Sequence, residues 1–167
     1  MNAGAYGREM KDVVESVEII DRDGNIRKLA RDEIEFRYRG SSLMDDGCIV
    51  CRAEIGLSKG NTEDIKAKCE ELFNKRKESQ PLEYPSAGST FKRPEGYFAG
   101  KLISDAGLKG YKVGGAEVSE KHAGFVINKD HATSEDIYKL IQDVKAKILD
   151  KDGVELEPEV RFLGDFR

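Results

Sequence analysis

The chain has 167 residues, with 28 Lys+Arg against 32 Asp+Glu and a formal net charge of −4, which is enough for one domain with a real core, or one domain and part of another. With 38% hydrophobic and 36% charged residues it reads as globular with a heavily solvated surface, and mild acidity without a basic stripe argues against a nucleic-acid binder. No apolar run reaches the ~18–20 residues of a membrane span, the opening MNAGAYGREMKD lacks the layout of a secretory signal, and three cysteines without a disulfide framework fit a reducing compartment, so a cytoplasmic setting is expected.

In chain order, residues 13–29 predict a hairpin. Val13, Val17 and Ile19 fall on mostly alternating positions, Asp23-Gly24 supplies the turn and IRKL the return strand. DEIEF (32–36) reads as one helical turn, and CIVCRAEIGL (48–57) as a further strand. Beyond Gly60, Asn61 or Thr62 can cap a helix whose Ile65, Cys69, Leu72 and Phe73 form one apolar stripe, ending before Pro81. Residues 81–100 are dense in Pro, Gly and Ser and predict loop. A short helix stopped at Gly107 follows, then strands in YKVGGAEVS and GFVIN. Thr133 or Ser134 caps a second long helix with Ile137, Leu140, Ile141, Val144 and Ile148 on its apolar face and Asp152-Gly153 at its end. VELEPEVRFL predicts one or two short strands broken at Pro158. Strands interleaved with helices without strict βαβ alternation predict an α+β fold.

Taken singly, the candidate chemistry is modest. Cys48-Ile-Val-Cys51 is nominally a CxxC, but on a strand two positions three apart face opposite ways, so buried structural cysteines are expected in place of a metal site. Phosphate-cradle motifs GxGxxG and GxxxxGK[ST] are absent. Gly96, Gly100, Gly107, Gly110, Gly114 and Gly115 interleave with Lys92, Arg93, Lys101, Lys109 and Lys112; this pattern serves either turn geometry or the holding of a phosphorylated ligand. Ser89 has no Gly-x-Ser-x-Gly elbow around it, which leaves a hydrolase triad unsupported.

Read together, SAGSTFKRP, EGYFAGKLISDAGLKGYKVGGAEVSEKHAGFVIN and LEPEVRFLG resemble the UDP-N-acetylenolpyruvoylglucosamine reductase (MurB) family, in the branch without the extra tyrosine loop. MNAGAYGREMKDVVESVEIID and FRYRGSS resemble it in the same order, so the likeness runs over essentially the whole chain. It implies a partial flavin-binding α+β domain followed by a complete MurB-type substrate-binding domain: residues 1–57 as the tail of the FAD-binding domain, 58–80 as a connector helix, 81–163 as the UDP-sugar domain and 164–167 as a tail. The implied reaction is reduction of UDP-N-acetylenolpyruvoylglucosamine to UDP-N-acetylmuramate in peptidoglycan precursor synthesis, with FAD as cofactor and NADPH as reductant. The motifs carry the proton donor onto Ser89 and the charge-stabilising groups onto Arg39 and Glu159. They place Asn2, Ala3, Gly4 and Arg161 against the flavin, and Lys92, Arg93, Lys101 and Gly115 toward the UDP-sugar. The pyrophosphate-binding loops of the family precede the MNAGAYG segment, so the expectation is a truncated chain that binds FAD weakly or not at all and is inactive alone. A non-catalytic UDP-sugar-binding module and an inert fragment are the alternatives. Strands deprived of their partners imply a homodimer through the N-terminal part.

Overall fold

The computed structural model describes residues 1–166. Two compact units divide the chain, Met1–Thr62 and Glu63–Arg167.

In the first unit, β1 (Gly4–Ala5) and β2 (Arg8–Glu9) form a small hairpin. β3 (Val14–Ile20) and β4 (Ile26–Ala30) make the expected longer one, with Gly24 at φ 85° in its turn. In place of a helical turn over 32–36, a 3-10 turn spans Arg31–Glu33, and β5 (Phe36–Arg37) already pairs with β6 (Gly40–Ser41). α1 (Ser42–Asp45) leads into β7 (Ile49–Ile55), which pairs with β3 to complete an antiparallel sheet ordered β4-β3-β7. Alternation along β3 sends Val17 and Ile19 into a core shared with Val14, Ile34 and Leu43. Along β7 every residue is exposed.

The cysteines depart from expectation: Cys48 is half-buried, while Cys51 and Cys69 are exposed. Glu18 pairs with Arg52 and Ile19 with Val50, so Cys51 is the extra residue of a β-bulge, and strict alternation does not hold across the CxxC. Among the described residues no His, Cys, Asp or Glu cluster could hold a metal.

In the second unit, α2 (Thr62–Ser79) is an 18-residue helix that buries none of its side chains. It is held by its own charges: Glu71 accepts from Lys75 and Lys68, and those two ammonium groups push its carboxyl down to about 2. β8 (Ser86–Ser89) emerges from the segment read as loop. α3 (Ala99–Asp105) stops short of Gly107 at φ 72°. YKVGG turns back on itself, with Gly114-Gly115 joining β9 (Lys112–Val113) to β10 (Ala116–Val118). With β11 (Phe125–Asn128) these form an antiparallel sheet ordered β8-β11-β10-β9.

α4 (Ser134–Asp152) covers that sheet as its sequence dictates. Thr133 accepts from the Asp136 amide and Asp136 answers from its carboxylate, while Gly153 closes the helix at φ 67°. Leu140, Ile141, Val144 and Ile148 are fully buried with Ile103, Val118 and Leu156, each contributing about 1.5–3 kcal/mol relative to exposure. No strand forms in VELEPEVRFL; one isolated bridge joins Phe91 to Pro158. No helix among the described residues is long and apolar enough to cross a membrane.

Candidate active site

Thr90 is the junction on which the site is built. It is 2% exposed and follows Ser89 at the end of β8. Its N–H donates to the Gly124 carbonyl at 2.8 Å, its carbonyl accepts from the Glu159 N–H at 2.8 Å, and its hydroxyl accepts from the Val126 N–H at 3.0 Å. Two residues on, the Lys92 N–H donates to the Glu157 carbonyl at 2.9 Å. The chain from 90 to 92 therefore runs beside 157–159, with Phe91 opposite Pro158. Flanking residues make the hydrogen bonds, so the missing N–H of Pro158 costs this ladder nothing.

The ladder sets Glu159 across from the buried Thr90, so that its backbone lies one residue along from the exposed Ser89. Lys92 joins them, but its ammonium already pairs with Glu157. A cavity of about 310 Å³ adjoins the ladder, lined by Ser86, Ala87, Thr90, Asn128, Ile137 and Val160 among others.

The remaining substrate candidates spread out. Arg93 lies over the Phe98 ring at 3.9 Å and donates to the Tyr97 carbonyl at 3.3 Å, just before α3. Lys101 pairs with Asp105 one turn along α3 at 2.6 Å. Lys112 lies 3.2 Å from Glu117, whose side chain is 5% exposed. Three of the lysines that suggested an anion site are thus matched to carboxylates. Gly115 sits at the opposite end of the sheet: Ser89 pairs with Phe125 and Ala116 with Asn128, about 10 Å further along β11. Its carbonyl accepts from the Lys129 and Asp130 amides at 3.0 Å each. Arg161 is exposed, beyond the ladder.

Arg39, Asn2, Ala3 and Gly4 belong to the first unit. Arg39 occupies the second position of the two-residue β5–β6 turn at φ 51°, a conformation rare for a residue with a Cβ. Asn2 is 5% exposed, and its carboxamide is engaged internally. It donates to Glu9 at 3.0 Å and to the Arg37 carbonyl at 3.2 Å, and accepts from the Lys11 amide at 3.0 Å. It thereby ties the β1–β2 hairpin to β5, which leads into the turn that holds Arg39. Of the residues expected to face the flavin, Ala3 and Gly4 are exposed, the Ala3 carbonyl is taken by Met10, and both Asn2 amide hydrogens are used within the unit, leaving one acceptor position on its Oδ1. Thr90 and Glu157 are the members that sequence reasoning missed.

The second unit is thus defined as a small α+β domain: an antiparallel sheet, two helices on one face, and Ser, Lys and Glu gathered at a strand junction. A family profile for the C-terminal domain of UDP-N-acetylenolpyruvoylglucosamine reductase matches residues 80–163, and the chain belongs to that family. A UDP-N-acetylenolpyruvoylglucosamine reductase from Caldanaerobacter subterraneus subsp. tengcongensis is 59% identical over 165 residues, covering 99% of this chain and 55% of that protein. The protein of the same name from Enterococcus faecalis is 53% identical, with coverages of 99% and 55%. The crystal structure of UDP-N-acetylenolpyruvylglucosamine reductase (MurB) from Thermus caldophilus superposes with a TM-score of 0.81 at 38% identity, covering 95% of this chain and 57% of that one. The chain spans about half the length of the curated relatives it matches.

Proposed function

We propose that this chain carries the substrate-binding and proton-donating part of an FAD- and NADPH-dependent UDP-N-acetylenolpyruvoylglucosamine reductase acting in the cytoplasm on peptidoglycan precursors. Residues 1–57 are then the tail of the flavin domain, 58–80 a connector helix, 81–163 the UDP-sugar domain and 164–167 a tail. The observation that supports the reading is the Thr90–Lys92 ladder with Glu157–Glu159, which sets Glu159 opposite Thr90, the residue after Ser89, in a chain whose family reduces an enolpyruvyl ether.

When bound, reduced flavin would supply the hydride. This chain's part is to hold the sugar nucleotide and manage charge and proton. Ser89 donates a proton to the carbon α to the carboxylate. A hydroxyl is too weak an acid to do so unaided, so Glu159 and Arg39 are assigned to stabilise the charge that develops beside it. Lys92, Arg93, Lys101 and Gly115 are assigned to the UDP-sugar, and Ala3, Gly4, Asn2 and Arg161 to the flavin side, with Asn2 acting through the backbone it holds. The second reading is a UDP-sugar-binding module without catalysis. The partners are a sugar nucleotide and a second copy of this chain, not nucleic acid.

Calorimetric titration with UDP-N-acetylglucosamine tests the binding half. Lys92→Ala is expected to weaken affinity about tenfold and Ser89→Ala to leave it nearly unchanged. Fusing the chain behind the N-terminal part of the Caldanaerobacter relative tests catalysis. NADPH oxidation dependent on the enolpyruvyl sugar is expected, falling by about 10²–10⁴ in Ser89→Ala. Binding without turnover in the fusion selects the module reading, and no binding at all sinks both.

A further inference from the structure

β8 does not run straight into Ser89. Ser89 lies opposite Phe125 of β11 and Ser86 opposite Ile127, so Ala87 and Gly88 together face the single residue Val126. The extra residue makes a β-bulge, which bends its strand and re-aims the side chains beside it. Gly88 takes the bend at φ 82°, a backbone conformation that glycine adopts without steric cost. A bulge also disrupts the local ladder, and a buried N–H left without an acceptor is costly. Here the Val126 N–H ends on a side chain: it donates to the Thr90 hydroxyl at 3.0 Å. Thr90 is thus held at all three of its polar groups, its N–H and carbonyl by the backbone of Gly124 and Glu159 and its hydroxyl by Val126. Any residue would offer the first two, but the third needs a short side chain with an acceptor oxygen.

We propose that Thr90 is a positioning residue for proton transfer: its hydroxyl, by accepting from Val126 at the bulge, fixes the backbone from which Ser89 acts, a role that rests on Ser89 as the proton donor. Thr90 is 2% exposed while Ser89 beside it is exposed, so the firmness with which Thr90 is turned inward sets the direction in which Ser89 faces. Thr90 has no contact with substrate in this role. It acts through its neighbour and, by its carbonyl, on the backbone of Glu159. A group that delivers a proton must meet the reacting carbon in a narrow geometry, and a misplacement of about 1 Å can cost on the order of 10²-fold in rate. Holding the sugar nucleotide is shared among residues elsewhere in the unit, so the loss belongs in kcat and not in binding.

Two variants separate the hydroxyl from the rest of the side chain. Thr90→Val keeps the shape and removes the acceptor, whereas Thr90→Ser keeps the acceptor and loses only a methyl. On the full chain, amide hydrogen exchange followed by NMR reads the bond itself, and Thr90→Val should speed exchange at Val126 about tenfold or more while Thr90→Ser leaves it near the parent. In the fusion behind the N-terminal part of the Caldanaerobacter relative, Thr90→Val should lower kcat about ten- to hundredfold with KM nearly unchanged, and Thr90→Ser should restore kcat to within about threefold of the parent. Parental kcat in Thr90→Val, a loss that Thr90→Ser shares in full, or a change confined to KM overturns the proposal. Should Thr90→Val fail to fold, Gly88→Ala tests the same device from the other side of Ser89. Its methyl meets no atom within 4 Å but must be carried at φ 82°, so it should lower kcat and leave the affinity for UDP-N-acetylglucosamine unchanged, and parental kcat there overturns the proposal equally. Failure of the functional reading has a different signature: Ser89→Ala at parental kcat removes the proton donor itself and this role with it, whereas the outcomes above, with Ser89→Ala impaired, remove only the role of Thr90.

Discussion

A methyl group at Gly115 would sit 1.9 Å from the Asp130 carbonyl oxygen and 2.5 Å from the Ala132 nitrogen, both of them backbone atoms. Because backbone cannot swing aside as a side chain does, Gly115→Ala must move the β9–β10 turn away from the end of β11, and the variant should lose about 3 kcal/mol in urea unfolding. Family resemblance marked this glycine as ligand-facing. Its packing against Asp130 is reason enough for the residue and was invisible in sequence, because the two meet only once β10 and β11 pair. The cysteines failed for a related reason. Alternation argues from an unbroken strand, and the extra residue at Cys51 breaks it. Ser89 and Glu159 were singled out through motif order, yet the three hydrogen bonds of Thr90, one of which holds the Glu159 backbone, were not visible there, since a buried threonine in SAGSTFKRP looks like any turn residue.

Among the elements, α4 was almost fully legible. Its cap, stripe and terminal glycine are local signals, and all agree with the packing that followed. Asp136 does double duty there. The Thr133 amide, then the Thr133 side chain and the Gly115 amide, hold its carboxylate below the usual range of 3.8. A lowered folded value means that the stabilisation is fully present above the unfolded pKa and is lost as pH falls through the folded one. Asp136→Asn should therefore unfold at lower urea than the parent at neutral pH. The gap between them should close as the pH drops below 3.8 toward the lowered value, and a gap constant with pH would contradict the assignment. α2 was legible as a helix and misleading as a packed one. A period of 3.6 says which side chains share a face, not that anything covers it, and Phe73 is left 60% exposed. The pairing of 90–92 with 157–159 joins segments some 65 residues apart, a distance over which no local pattern reports.

For the molecule as a whole, the two units do not share one core. The first has five buried apolar side chains in its cluster and the second has fourteen, so denaturant should melt them in two steps, with the first unit losing its signal earlier. The family membership and the α+β architecture were readable because SAGSTFKRP, GGAEVS and LEPEV lie in order within 80–163. The arrangement of the first unit was less so, because several of its strands are two residues long. α2 stands apart in having no buried side chain, and that has a consequence for digestion. Trypsin needs a stretch of chain that can leave its helix and enter the protease cleft. Lys66, Lys68, Lys75, Arg76 and Lys77 all lie on this helix, whereas the lysines of α4 belong to a helix anchored by four buried residues. A brief exposure to dilute trypsin should nick α2 first and leave a resistant C-terminal piece that starts near Glu78, in effect an excisable unit of its own.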